Sequence, residues 1–420
     1  MASTTSRPVP LLLAFAGCLL TGWSAPAASV PQSDGASRHS QASLAASVEV
    51  PVAIVHALGH GASAVVSGIG AAAGSVAVTI SVAGAGASFV VYLSVDAVRR
   101  LGIAVGTAVS VAAVATGWII SAAGEALCFI ANDSVRPHIH SHRYGGGAMA
   151  RTCSAMLLSG LLLMAAAANA GNGCQQQEVA PHKLEAAART ALLAAAALDE
   201  VDAPVALIAR VGTDLSKQGL VYSHAGFVVR DHAHGRWTVV HLLNECGSDR
   251  SGLYAQGLVN FFSDDLVNQD LRIVWFKPHA AERLSERLKQ MPRHSLHHPR
   301  YNLIARPGSG DYQNSTAWLV EMMASALADR AVYDRATAYA FARSDGFLPD
   351  TIHIPYSRRV LGGLLSANAD FTDHPVVTRL SGDYPVITVR SIFRYLDRAG
   401  YVERQEEWRG GKRQAQPGPA

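Results

Sequence analysis

The sequence predicts an α+β fold in its C-terminal half, preceded by a Gly/Ala/Val-rich region of different character. Three observations carry that division. Two strand-like runs, residues 222–229 and 237–243, flank the turn-rich Asp231-His232-Ala233-His234-Gly235. Trp318, Leu319, Met322, Ala326 and Leu327 recur at helical spacing. Between the halves, residues 149–171 read as a complete secretory signal: Met149 and Arg151 form a short positive n-region, residues 156–167 an apolar stretch, and Ala168-Asn169-Ala170 a small-residue cleavage site. The chain of 420 residues therefore looks like two exported proteins joined end to end.

The first element is another signal, residues 1–28, with Arg7, an apolar run over 11–20 and small residues around 25–28. A lipoprotein reading at Cys18 is weaker, because Phe15 stands where a small aliphatic residue is usual. Residues 29–148 follow. From Gly61 to Val95 there is no charge, then Asp96, Arg99 and Arg100 interrupt, and 101–124 is uncharged again. Two readings fit equally. One is a helical hairpin in the inner membrane, with Arg99 and Arg100 inside. The other is a small β-rich domain, because Val76, Val78, Ile80 and Val82 alternate with Ser75, Ala77, Thr79 and Ser81. His138, His140 and His142 alternate along the chain after these spans, and are expected in a solvated linker rather than at a metal, since nothing nearby completes a ligand set.

A formal charge of +3 is too mild for a nucleic-acid binder, and no basic stripe occurs. No cofactor and no metal is expected; His294, His297 and His298 read as a solvated loop. Of five cysteines, Cys174 and Cys246 are the pair downstream of Gly171, and export to an oxidising periplasm makes a disulfide between them the expectation.

Residues 171–408 read as a globular domain: a helix over 179–199, a short apolar strand over 205–211, the hairpin, a charged helix over 280–289, and a strand running into a helix over 386–399. Residues 409–420 are expected to be a disordered tail. Pairing Arg230 with Gly235 across a four-residue loop, or closing a two-residue loop on His232-Ala233, places His224 directly opposite His241. Their imidazoles then share one face of the sheet, where one can act as base and the other fix its orientation. Farther on, Asn314 or Ser315 caps the helix that carries Trp318, and its first turn favours negative charge, which suits either a nucleophile or a plain capping serine.

The strings Tyr222-Ser223-His224-Ala225-Gly226, Val240-His241-Leu242-Leu243-Asn244-Glu245-Cys246, Leu253-Tyr254-x-Gln256-Gly257 and Tyr312-Gln313-Asn314-Ser315-x-x-Trp318 resemble a bacterial exported family, domain of unknown function 2145, over nearly all of residues 171–400. Their order is also similar to that of the circularly permuted papain-like proteins, relatives of NlpC-type cell-wall hydrolases and lecithin:retinol acyltransferase. That second resemblance implies a permuted papain-like domain in which His224 is the base, His241 its orienting group and Ser315 the nucleophile position. Serine stands where the papain-like pattern has cysteine, so no thiolate and imidazolium pair can form. The implied function is an exported envelope protein, periplasmic and open to inner-membrane association, that binds a cell-wall peptide or a lipid acyl group in a cleft without catalysis. The alternative is a periplasmic hydrolase or acyltransferase acting on amide or ester bonds.

Overall fold

The computed structural model describes residues 50–72, 75–144, 179–245, 248–263, 266–357, 359, 368–415 and 418. Both signal-like segments and the Cys174–Cys246 pair lie outside the described residues. Within them, the uncharged N-terminal stretches form strands. After helix α1 (Val52–Gly59) come β1 (Ala64–Ala72), β2 (Ser75–Val82), β3 (Ser88–Leu93), helix α2 (Val95–Leu101), β4 (Ala108–Val114), β5 (Gly117–Ala122) and β6 (Glu125–Ala131). They build one antiparallel sheet in the order β3-β2-β1-β4-β5-β6.

The alternation along β2 has its cause here. Val78, Ile80 and Val82 are buried with Ile54, Leu58, Phe89, Val91 and Ile120. The Arg99-Arg100 interruption closes helix α2, which is capped by Ser94 and ended by Gly102 in the left-handed conformation. The helical hairpin is thus not what this sequence forms. Among the described residues no helix is long and apolar enough to cross a membrane. Cys128 is buried in this core, and burial pushes its thiol up to about 12.

The second sheet is antiparallel throughout and has eight strands. Its elements are β7 (Ser141–Arg143), helix α3 (Pro181–Asp199), β8 (Val205–Arg210), β9 (His224–His232), β10 (Gly235–Asn244), β11 (Ser251–Gln256), helix α4 (Leu258–Phe262), β12 (Leu271–Phe276) and helix α5 (Pro278–Lys289). Helices α6 (Ser315–Leu327) and α7 (Arg335–Ser344), strand β13 (Asp350–His353), helix α8 (Val376–Ser381), strand β14 (Asp383–Val386), helix α9 (Val389–Arg398) and strands β15 (Val402–Arg409) and β16 (Lys412–Arg413) complete the chain. The sheet order is β16-β15-β12-β8-β9-β10-β11-β7, and β13 pairs with β14 apart from it.

Two sequence expectations change here. The start of the polar tail is a strand: β15 lies antiparallel to β12 and turns back on itself through Trp408↔Arg413, which brings residues expected to be disordered into the sheet. The three alternating histidines are not a solvated linker either, because Ser141–Arg143 is an edge strand on β11. The halves that read as two proteins therefore share a sheet.

The period of two along the strands assigns the two faces. Leu207, Ala209, Ala225, Phe227, Val229, Val240 and Leu242 face α5, α6 and α9, with Trp318, Met322, Ile392 and Leu396 among the contacts. Ala206, Ile208, Val228, Trp237 and Val239 face α3 and α4, meeting Leu184, Ala188, Ala191 and Phe261. Helix α6 lies so deep that every residue of it is buried, so the apolar spacing read from the sequence marks only part of its packed surface. Its polar members are matched: Glu321 binds Arg335 at 2.9 Å and accepts from Gln313.

Candidate functional site

The hairpin turns one residue later than expected. Its two-residue loop is Ala233-His234, and His232 pairs with Gly235, Val229 with Thr238, and Phe227 with Val240. Extending that register by one residue sets Gly226, not His224, opposite His241. A slip of two positions keeps side chains on the same face, so the two histidines still meet, now along a diagonal. Gly226 makes the approach feasible. A Cβ there would stand 2.5 Å from Val239 Cγ1 and 3.1 Å from His241 Cβ.

A line of polar side chains crosses five neighbouring strands on this face. Arg210 on β8 pairs with His224 on β9. His224 Nε2 is 2.8 Å from His241 Nδ1 on β10, and His241 Nε2 is 3.0 Å from Gln256 Oε1 on β11. Gln256 Nε2 in turn donates to Ser141 Oγ on β7 at 3.0 Å. The proton positions follow from the Gln256 end. An amide oxygen only accepts, so His241 carries its proton on Nε2 and offers Nδ1 as acceptor. His224 then donates from Nε2, which leaves its Nδ1 with a lone pair.

Surroundings hold both rings neutral. Burial and then the Arg210 charge push His241 down to about 3, against a smaller opposing effect of its bond to Gln256. The same two causes, with His241 added, hold His224 well below the usual imidazole range. Arg210 is fixed by the carbonyl of Phe261, to which its Nη1 donates, and by that residue's ring, 4.8 Å from the guanidinium carbon. The Phe261 ring also lies 5.4 Å from His241 and 6.0 Å from His224, as an apolar wall over the pair. His241 is wholly buried, His224 half-buried, and Ser141 at the other end exposed.

Ser315 does not join this line. Asn314 is the helix cap, with its Oδ1 accepting from Ala317 N at 2.8 Å, and Ser315 opens α6. Helix α6 packs on the other face of the sheet, where Trp318 meets Phe227 with ring centroids 5.6 Å apart. Phe227 and His224 leave opposite sides of β9, so the sheet separates Ser315 from the imidazoles. Ser315 is itself buried at the start of α6. The expected convergence of Ser315 with His224 and His241 is corrected accordingly.

Arg210, Ser141 and Phe261 are not marked by the sequence reading, and Gln256 enters it only within the family-like string Leu253-Tyr254-x-Gln256-Gly257, without a role. Arg210 carried a usable signal, as a lone charge ending the apolar run Val205-Ala206-Leu207-Ile208-Ala209. Ser141 carried none, since nothing before the internal signal-like segment marks it as a neighbour of β11. Among the described residues no group of three or more His, Cys, Asp or Glu is arranged to hold a metal ion.

Neither the curated proteins nor the solved structures contain a match to this chain. Residues 197–396, which hold Arg210, the two histidines, Gln256, Phe261 and Ser315, match the model described as "Uncharacterized protein conserved in bacteria (DUF2145)", and it is to this family that the C-terminal part of the chain belongs.

Proposed function

We propose that the chain is an exported envelope protein whose C-terminal domain binds a peptide non-covalently at His224. One observation carries the reading: the hydrogen-bond line from Ser141 through Gln256 and His241 leaves the lone pair of His224 Nδ1 as an acceptor at its half-buried end. A peptide amide N–H is the complementary donor. Phe261 packs beside the ring, so the surroundings of that acceptor are apolar. Export is read from the two signal-like segments, and a cell-wall peptide is the peptide class that such a protein meets. The permuted papain-like framework belongs to this proposal as well: the motif order supports it, and the place of Ser315 on the Phe227 side of the sheet supports binding over acyl transfer.

A second reading is hydrolysis, favoured by the His224 and His241 pair itself, in which the Nδ1 lone pair would take a proton from an attacking water while His241 steadies the ring. Calorimetry with synthetic cell-wall stem peptides, followed by mass spectrometry of the mixture, separates the two. Binding that is lost in His224→Ala, with the peptide recovered intact, is expected. Peptide cleavage that His224→Ala abolishes replaces binding by hydrolysis, cleavage that Ser315→Ala abolishes restores the acyl-transfer scheme, and no heat of binding at millimolar peptide sinks the proposal.

A further inference from the structure

Segment 136–144, Arg-Pro-His-Ile-His-Ser-His-Arg-Tyr, lies in a socket on the C-terminal domain. Its main chain continues the sheet: Arg143, His142 and Ser141 pair with Tyr254, Ala255 and Gln256, Tyr144 N donates to Leu253 O at 2.9 Å, and Gly257 N donates to His140 O at 2.8 Å. Three glycines shape the socket. A Cβ at Gly257 would fall on the carbonyl of His138, one at Gly252 would stand 2.9 Å from Arg143 Nε, and one at Gly235 would stand 2.9 Å from the His140 ring. At Gly257 the clash is with main chain, so a side chain there would push the segment out, whereas at Gly252 and Gly235 the side chains of Arg143 and His140 would have to shift.

Side chains fill the rest. His140 N donates to Asn260 Oδ1 at 2.8 Å, His140 Nε2 meets Thr238 Oγ1 at 2.9 Å, the Tyr144 hydroxyl meets His232 Nε2 at 2.8 Å, and Arg143 forms an ion pair with the buried Glu245. Beneath them Phe129, Ala131, Val135 and Ile139 are buried in one cluster with Leu184, Ala187, Ala188 and Ala191 of α3. The alanine-rich face of α3 lets strand β6 come close.

We infer that this is a protein–protein interface in its own right: residues 50–144 form a strand-donating partner unit, and the C-terminal domain is its acceptor. The pairing holds without covalent continuity through residues 145–178, so a chain cut after Ala170 persists as a one-to-one complex. Strand addition supplies main-chain bonds for affinity, and the glycine socket with its polar pairs supplies selectivity for this segment. Docking also sets the histidine line, because Ser141 orients Gln256 and Gln256 orients His241. The interface stands whatever the His224 end binds.

The test inserts a site for a specific protease between Ala170 and Gly171 of the full chain, cuts it, and follows the fragments by size-exclusion chromatography with mass detection. Both fragments are expected to elute together at one-to-one ratio. Their separation at micromolar concentration overturns the inference. Gly257→Val, cut in the same way, should raise the fraction of separated fragments at least tenfold while the uncut variant stays folded by circular dichroism. If Gly257→Val does not fold uncut, Ile139→Asp on the donor side takes its place. Fragments of a folded variant that stay paired as tightly as in the parent show that the socket does not hold them, and refute the assignment.

Discussion

His224 Nε2 lies 2.8 Å from His241 Nδ1 although the two residues are not opposite one another in the ladder. The diagonal bond needs the space over Gly226, where a side chain would meet Val239 and the Cβ of His241. Gly226→Ala is therefore expected to destabilise the fold by about 1–3 kcal/mol through overpacking. It should also lengthen the bond between the imidazoles, seen as a changed 15N shift of His241 Nδ1. A variant with parental stability and an unchanged shift would show that the sheet relaxes at no cost.

The pH dependence follows from the buried ring. His241 is pushed down to about 3 in the folded chain, while an unfolded chain has an ordinary imidazole near 6.5. Above the unfolded value neither state takes a proton, and the full stability is present. As pH falls from 6.5 towards 3, the unfolded chain gains a proton that the folded chain refuses, so stability drops. Urea midpoints should decline over this window, and His241→Gln should flatten part of the decline; a midpoint insensitive to pH between 6.5 and 4 contradicts it.

Gln256→Leu removes the acceptor that fixes the His241 tautomer and leaves the buried Nε2–H of His241 unpaired. A loss of about 1–3 kcal/mol is expected in denaturant unfolding. In the same variant the ring proton should no longer sit on Nε2 alone, which long-range 1H–15N spectra of the imidazoles would report. Retention of a single Nε2–H tautomer would mean that Gln256 does not set it.

Ser315→Ala removes one buried hydroxyl on the Phe227 side of the sheet and nothing near His224. Stability should fall by no more than about 1.5 kcal/mol, and the peptide binding tested with His224→Ala should be unchanged. Loss of binding in Ser315→Ala together with full stability would bring the serine back into the site.

Sequence pattern located the strands and helices around the site well because their faces are buried on fixed periods: 222–229, 237–243 and the Trp318 helix all lie where periodicity puts them. It also placed the two histidines on a common face, since a register error of two residues does not change parity. What it lacked was handedness. Whether α6 covers the face of His224 or that of Phe227 depends on how the chain crosses the sheet between β12 and residue 315, and no local spacing encodes that. The same limit hid Ser141 and Arg210, whose roles come from strands brought alongside by the topology. The N-terminal stretches were ambiguous for a different reason, as small apolar residues satisfy both a membrane helix and a tightly packed sheet.

The eight-stranded sheet ends on both sides in very short strands, Ser141–Arg143 on one edge and Lys412–Arg413 on the other. Two or three residues offer too little open main chain to template another molecule, and the exposed basic side chains of Arg143, Lys412 and Arg413 discourage it further. Behind the first of these edges is β11, six residues long and entirely buried. Stripped of residues 136–144, the domain would present Ser251 to Gln256 as a bare, largely uncharged ribbon ready to recruit its own kind. The docked segment is thus also a guard against self-association, and a chain deprived of it is headed for aggregates.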